Sequence, residues 1–299
     1  MRLTISASEL ATIEPHKISD ALEQGNIVYF PECPITLPSD DDLAFMRTRM
    51  PELLKLKNIS YHPESDKVYG IEGSVEEVER ARRILSGHKK QVEAFLDKVA
   101  PNFTREWLVG TSTYRPLEEQ GRNLSAHASN ELIHVDAGAY GATHGDRVFR
   151  FFVNVNGEGK DRVWASKGSF KQVYERHGAA AGIAKPDIKE GLWDKFRTWL
   201  VTQLGKLNPV LKTALDSSPY DRAMRKMHNY MKDTPAFQAD PHGHEEFHFP
   251  PGSAWMCFTD GVSHACLSGQ HSFIDTYVVR LKHCRLPEAA PYHLLQKGL

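Results

Sequence analysis

Between Val148 and Asn156 hydrophobic and polar positions are sorted by alternation. Phe149, Phe151, Val153 and Val155 fall on one side of an extended chain, and Arg150, Phe152, Asn154 and Asn156 on the other, because successive side chains of a strand point to opposite faces. A strand with one apolar face and a second face carrying an arginine and two asparagines borders a polar pocket or solvent. Shorter β-branched and aromatic runs predict further strands at about 107–114, 132–136, 246–249, 253–258, 262–267 and 272–282.

Elsewhere the helical period dominates. Ser74-Val75-Glu76-Glu77 has the form of a capping box with acids in the first turn. Val75, Val78, Ala81, Leu85, Val92, Phe95, Leu96 and Val99 continue it as an apolar stripe that Gly87 threatens to interrupt. The first part of the chain, to about residue 105, is therefore expected to be partly helical. A helical insertion is expected at about 169–233, with Pro209 and Pro219 at first helical positions. Strands, a helical insertion and strands again predict one domain over residues 1–299. Its class is mainly β with helical decoration, on a double-stranded β-helix (jelly roll) core.

Composition narrows the function. Hydrophobic residues make up 40% of the 299-residue chain, enough for a sizeable core. The 37 Lys and Arg nearly balance the 38 Asp and Glu, so a concentrated basic surface for nucleic acid is not expected. Cys33, Cys257, Cys266 and Cys284 form no CxxC pair and read as free thiols in a reducing compartment. The N-terminal residues show no apolar leader, and no run approaches membrane-spanning length, so a cytoplasmic location is expected. Nucleophile-elbow, dinucleotide and P-loop signatures are missing.

The candidate chemistry is metal-based. In Leu132-Ile133-His134-Val135-Asp136, His134 and Asp136 are two apart on a strand and share a face. A distant histidine would complete a two-His, one-carboxylate triad. That triad leaves three positions on iron open, enough for a bidentate 2-oxo acid and dioxygen. His264 is the preferred third ligand, since it follows the sharp turn at Pro250-Pro251-Gly252 and sits among small residues. His144 and His271 are its alternatives, whereas His242, His244 and His248 read as solvated loop residues. The distal carboxylate of the oxo acid needs a cation. Arg150 is preferred, with Asn154 on the same face, and Arg280 is the alternative, sixteen residues beyond His264.

Several stretches resemble the bacterial Kdo (3-deoxy-D-manno-oct-2-ulosonic acid) hydroxylases. They are Ile133 to Ala137, Val148 to Asn156, Arg162-Val163-Trp164, Ser218-Pro219-Tyr220-Asp221 with Met224 and His228, Phe249 to Trp255, and Thr259 to Gln270. The resemblance implies an Fe(II)- and 2-oxoglutarate-dependent dioxygenase that uses O2 to hydroxylate carbon 3 of Kdo in a lipopolysaccharide precursor, giving Ko. It places iron on His134, Asp136 and His264. An anionic sugar calls for a basic mouth, for which Arg115, Arg122, Arg162 and Lys167 are candidates. A 2-oxoglutarate hydroxylase of another substrate, a metal-dependent isomerase and a non-catalytic carbohydrate-binding jelly roll are the rival readings.

One further pattern bears on location. Leu192, Trp193, Phe196, Trp199, Leu200, Leu204 and Leu207 recur at helical spacing near Lys189, Lys195, Arg197, Lys206 and Lys212. The simpler expectation is a face that covers the β-sandwich. The alternative is peripheral contact with the inner membrane, where Trp settles at headgroup depth.

Overall fold

The computed structural model describes residues 2–138, 140–185, 188, 191–194, 196, 200–201 and 216–299. Two sheets dominate it. The larger holds β1 (Arg2–Thr4), β2 (Ile27–Phe30), β3 (Ile59–His62), β4 (Lys67–Tyr69), β5 (Leu108–Arg115), β6 (Arg147–Asn154), β9 (Ala254–Phe258) and β11 (Ser272–Val279). Its spatial order is β1-β2-β9-β6-β11-β5-β3-β4, antiparallel apart from the β1–β2 pair. The smaller sheet orders β10 (Ala265–Ser268), β7 (Arg162–Ser166) and β8 (Glu245–Phe249) as β10-β7-β8.

The alternation at 148–156 sorts as the sequence predicts. Phe149, Phe151, Val153 and Val155 join one core with residues of α1 (Ala7–Thr12), α2 (Lys17–Glu23), α3 (Asp40–Leu53) and α4 (Val75–Val99). Phe152, on the opposite face, packs with Trp255, Cys257 and Ile274 of the large sheet and Trp164, Phe247 and Phe249 of the small one. Trp255 lies flat against Phe249 at 3.9 Å between ring centres, so the two sheets meet through stacked aromatics. Helices line one face of the large sheet, and the small sheet covers part of the other.

Helix α4 opens on the predicted capping box, with Glu77 N donating to Ser74 Oγ and Ser74 N to Glu77 Oε2. It passes Gly87 unbroken, held on both sides of that position by the buried Ala81, Ile84, Leu85, Val92, Phe95 and Leu96. Pro219 opens α6 (Pro219–Asp233) as expected; Pro209 lies outside the described residues. α5 (Phe170–His177), α7 (Pro235–Ala239) and α8 (Pro291–Lys297) complete the helices used below.

Three expectations need correction. The N-terminal part contributes four strands as well as helices; Ile27-Val28-Tyr29-Phe30 is buried at every position, so it carries no alternation to read. The segment 132–136 is a loop with a single antiparallel bridge at His134. Its remaining backbone groups find other partners: Ile133 N donates to Gln238 Oε1, Gln238 Nε2 donates to Ile133 O, and Asp136 N donates to Thr259 O. Finally, Leu192, Trp193, Phe196 and Leu200 are 41–88% exposed, which does not fit a face covering the sandwich. Trp199, Leu204, Leu207 and the neighbouring basic residues Lys189, Lys195, Arg197, Lys206 and Lys212 lie outside the described residues.

Candidate active site

The backbone brings His134 and His264 together. His134 N donates to His264 O (3.0 Å) and His264 N to His134 O (2.8 Å), the doubly bonded pairing of an antiparallel ladder. Asp136 follows two residues later, and its backbone N–H is fixed on Thr259 O. One ligand atom from each of His134, Asp136 and His264 lies within 4.8 Å of the others, and all three residues are buried. Among the described residues no other cluster of His, Cys, Asp and Glu is so arranged.

The donor chemistry suits a divalent ion. His134 Nδ1 lies 2.7 Å from Leu132 O and His264 Nδ1 lies 3.0 Å from Val262 O. Each contact places the ring proton on Nδ1 and leaves the Nε2 lone pair for a metal. Burial pushes both imidazoles toward the neutral form, and for His134 the nearby His264 adds to this. Burial opposes ionisation of Asp136, but the neighbouring Arg150 guanidinium leads the influences that outweigh it and hold the carboxyl well below the usual range. Two neutral imidazoles beside one carboxylate are the protonation states that metal binding requires. Arg150 Nη2 stands 3.0 Å from Asp136 Oδ2, while that oxygen accepts no aligned hydrogen bond.

These groups open into a cavity of about 340 Å³. Among the described residues its cations are Lys57, Arg115, Arg150, Arg162 and Lys232, against Asp136 as the one lining carboxylate. Behind the wall Glu119 organises the arginines. Arg115 Nη1 donates to Glu119 Oε1 at 2.7 Å, Arg162 Nη2 to the same oxygen at 3.3 Å, and Asn130 Nδ2 to Oε2 at 2.9 Å. Burial raises the Glu119 carboxyl, but the charges of Arg115 and Arg162 bring it down to about 2.

The sequence candidates separate accordingly. Arg115, Arg150 and Arg162 line the cavity. Arg122 does not; it stands 3.8 Å from Glu119 Oε2. Asn154 uses its amide on Lys160 O and Phe249 O and does not line the cavity. Arg280 is held by Asp146 Oδ2 at 2.8 Å and by Glu106 O, and Lys167 by Phe237 O and Asp240 O, all away from the cavity. His144 pairs with Asp216, and His271 Nδ1 with the Tyr114 hydroxyl, so neither reaches the cluster. His242, His244 and His248 are exposed.

Other lining residues carried no site reading in the sequence: Lys57, Asn130, Trp164, His228 and Lys232. Trp164 was within reach of the period-two rule, because it shares a strand face with Arg162. Its ring stacks on His264, 5.3 Å between centres. His228 Nδ1–H donates to Val135 O (2.7 Å), and the ring packs edge-on against His134.

The model of the 3-deoxy-D-manno-oct-2-ulosonic acid (Kdo) hydroxylase family matches residues 7–299. The chain belongs to that family. No curated protein matches it. Among solved structures it is similar to the Kdo hydroxylase KdoO, described as a non-heme Fe(II) alphaketoglutarate-dependent dioxygenase. The complex of KdoO with alphaketoglutarate and Fe(III) matches at 27% identity and TM-score 0.79, covering 99% of this chain and 95% of that one. The cobalt(II) complex gives 27% and 0.80 with the same coverage. The complex with succinate and Fe(III) gives 27% and 0.79, covering 99% and 94%.

Proposed function

We propose that this member of the Kdo hydroxylase family is an Fe(II)- and 2-oxoglutarate-dependent dioxygenase that hydroxylates carbon 3 of Kdo in a lipopolysaccharide precursor, giving Ko. The observation that carries this reading is the buried His134, Asp136, His264 cluster at the base of a cation-lined cavity. We read the two facing sheets as a double-stranded β-helix and residues 1–299 as one oxygenase domain.

His134, Asp136 and His264 would hold the iron. When bound, iron(II) supplies the redox chemistry by which dioxygen and 2-oxoglutarate hydroxylate an unactivated carbon, with succinate and carbon dioxide released. Arg150 keeps Asp136 ionised and offers its guanidinium to a 2-oxoglutarate carboxylate. Arg115 and Arg162, steadied by Glu119, offer donors to the sugar carboxylate. Trp164 and Phe152 form an apolar wall that excludes water beside the ligands.

The exposed Leu192, Trp193, Phe196 and Leu200 support peripheral contact of a cytoplasmic enzyme with the inner membrane. No helix among the described residues is long and apolar enough to cross a membrane.

The test is succinate release coupled to oxygen uptake, stimulated by a Kdo-bearing acceptor, with mass spectrometry of the product. One added oxygen on Kdo is the expected result. Turnover of 2-oxoglutarate without oxygen transfer to any Kdo acceptor would sink the substrate assignment.

A further inference from the structure

The cations of the cavity are not equivalent. Arg150 has Asp136 at 3.0 Å, and Arg115 and Arg162 share Glu119. Lys57 and Lys232 have no carboxylate within ion-pair distance among the described residues; both ammonium groups rest on backbone carbonyls of one strap. Lys57 Nζ donates to Ala128 O at 2.6 Å, and Lys232 Nζ to His127 O at 3.0 Å and Ser129 O at 2.8 Å.

Three consecutive carbonyls thus draw two ammonium groups to one place on the cavity wall. Carbonyl dipoles orient a cation but do not neutralise it. Each ammonium has three N–H donors, so one bond at Lys57 and two at Lys232 leave three donors with no partner among the described residues. Lys57 stands just before β3 and Lys232 near the end of α6, so two separate elements supply the pair. Unpaired cations that are partly buried are costly. Burial pushes Lys57, which also faces Arg115, down to about 8, and lowers Lys232 as well. An arriving anion would relieve both.

We propose that Lys57 and Lys232 form an anion subsite for a phosphate or carboxylate of the substrate other than the carboxylate of the reacting sugar. The proposal rests on the Kdo reading above. It makes the two lysines specificity residues, apart from the metal ligands and the arginines.

Lys57→Gln and Lys232→Gln test it, because glutamine keeps an N–H donor for the strap carbonyl and removes the charge. Three acceptors are compared: the methyl glycoside of Kdo, a Kdo-bearing phosphorylated disaccharide, and the same disaccharide without its phosphates but with a second acidic sugar. Wild type should show a KM about tenfold or more lower for whichever acceptor carries the recognised anion, the scale of one charge-assisted contact. Which of the two it prefers identifies phosphate or carboxylate. Each Gln variant should lose most of that preference, its acceptor KM rising far more than its kcat falls, and Lys→Arg should restore part of it. Gln variants that keep the wild-type preference, or a wild type without one, overturn the subsite.

If wild type turns over 2-oxoglutarate but hydroxylates none of the three, the Kdo reading fails by itself, and inorganic phosphate then decides the subsite. A phosphate-induced rise in Tm present in wild type and lost in both Gln variants sustains it. An equal rise, or none, overturns it.

Discussion

His134 and His264 are 130 positions apart, yet each donates its backbone N–H to the other's carbonyl, at 3.0 and 2.8 Å. Their separation is therefore set by the backbone ladder, and the side chains are free to serve an ion.

It follows that His264→Ala should spare the fold. The bridge to His134 uses no side-chain atom, so the melting temperature should stay close to wild type. Iron affinity should fall by more than about tenfold, since loss of even an outer-shell partner costs about 10–100-fold. Metal analysis beside a thermal melt checks both. Retained iron would place the third ligand elsewhere.

Arg150→Ala should raise the KM for 2-oxoglutarate by about 10–100-fold, the equivalent of about 1.5–3 kcal/mol for a hydrogen bond to a charged group. Arg280→Ala should leave that KM alone. Its guanidinium is committed to Asp146 in a partly exposed pair, worth at most about 1 kcal/mol of stability. Steady-state kinetics with 2-oxoglutarate as the varied substrate distinguishes the two, and the opposite pattern would move the anchor to Arg280.

Glu119 and Arg162 have side chains only 1% exposed. Glu119→Ala leaves a buried guanidinium short of its partner and should destabilise the chain by about 3–5 kcal/mol, read from the denaturant midpoint. The Glu119 carboxyl lies at about 2 in the folded chain against an ordinary 4.5. Its contribution is therefore fully present above pH 4.5 and is lost as pH falls from there through about 2. The stability gap between wild type and Glu119→Gln should narrow over that window, and a gap independent of pH would refute the assignment.

Trp193 is 75% exposed and Leu192 88%. Trp193→Ala should leave the melting temperature unchanged while weakening sedimentation with anionic vesicles. A buried tryptophan would instead cost about 3–5 kcal/mol. Unchanged vesicle binding would end the membrane reading.

The two-faced strand was legible because the period of two alone sets Arg150 opposite Phe149 and Phe151. His134 and Asp136 do converge with His264, but from a loop with one bridge and not from a strand. Lys57 and Lys232 were not legible: they meet through a strap at 127–129, and no local spacing encodes that meeting. Arg280, the alternative anchor, shows the opposite case. Its offset from His264 was suggestive, but the chain turns it toward Asp146. Ile27 to Phe30 escaped notice because a strand covered on both faces loses the alternation that marks its neighbours.

The large sheet has a further consequence. Its four middle strands, β9, β6, β11 and β5, all come from residues after 107, and both flanks, β1-β2 and β3-β4, come from the first seventy. A chain trimmed of that leading part would bare the hydrogen-bonding edges of β9 and β5 together. Open edges of this kind template pairing with other molecules. The leading strands, remote from the metal ligands in sequence, thus act as guards against aggregation. Shortened forms should precipitate before any loss of catalytic chemistry could be measured.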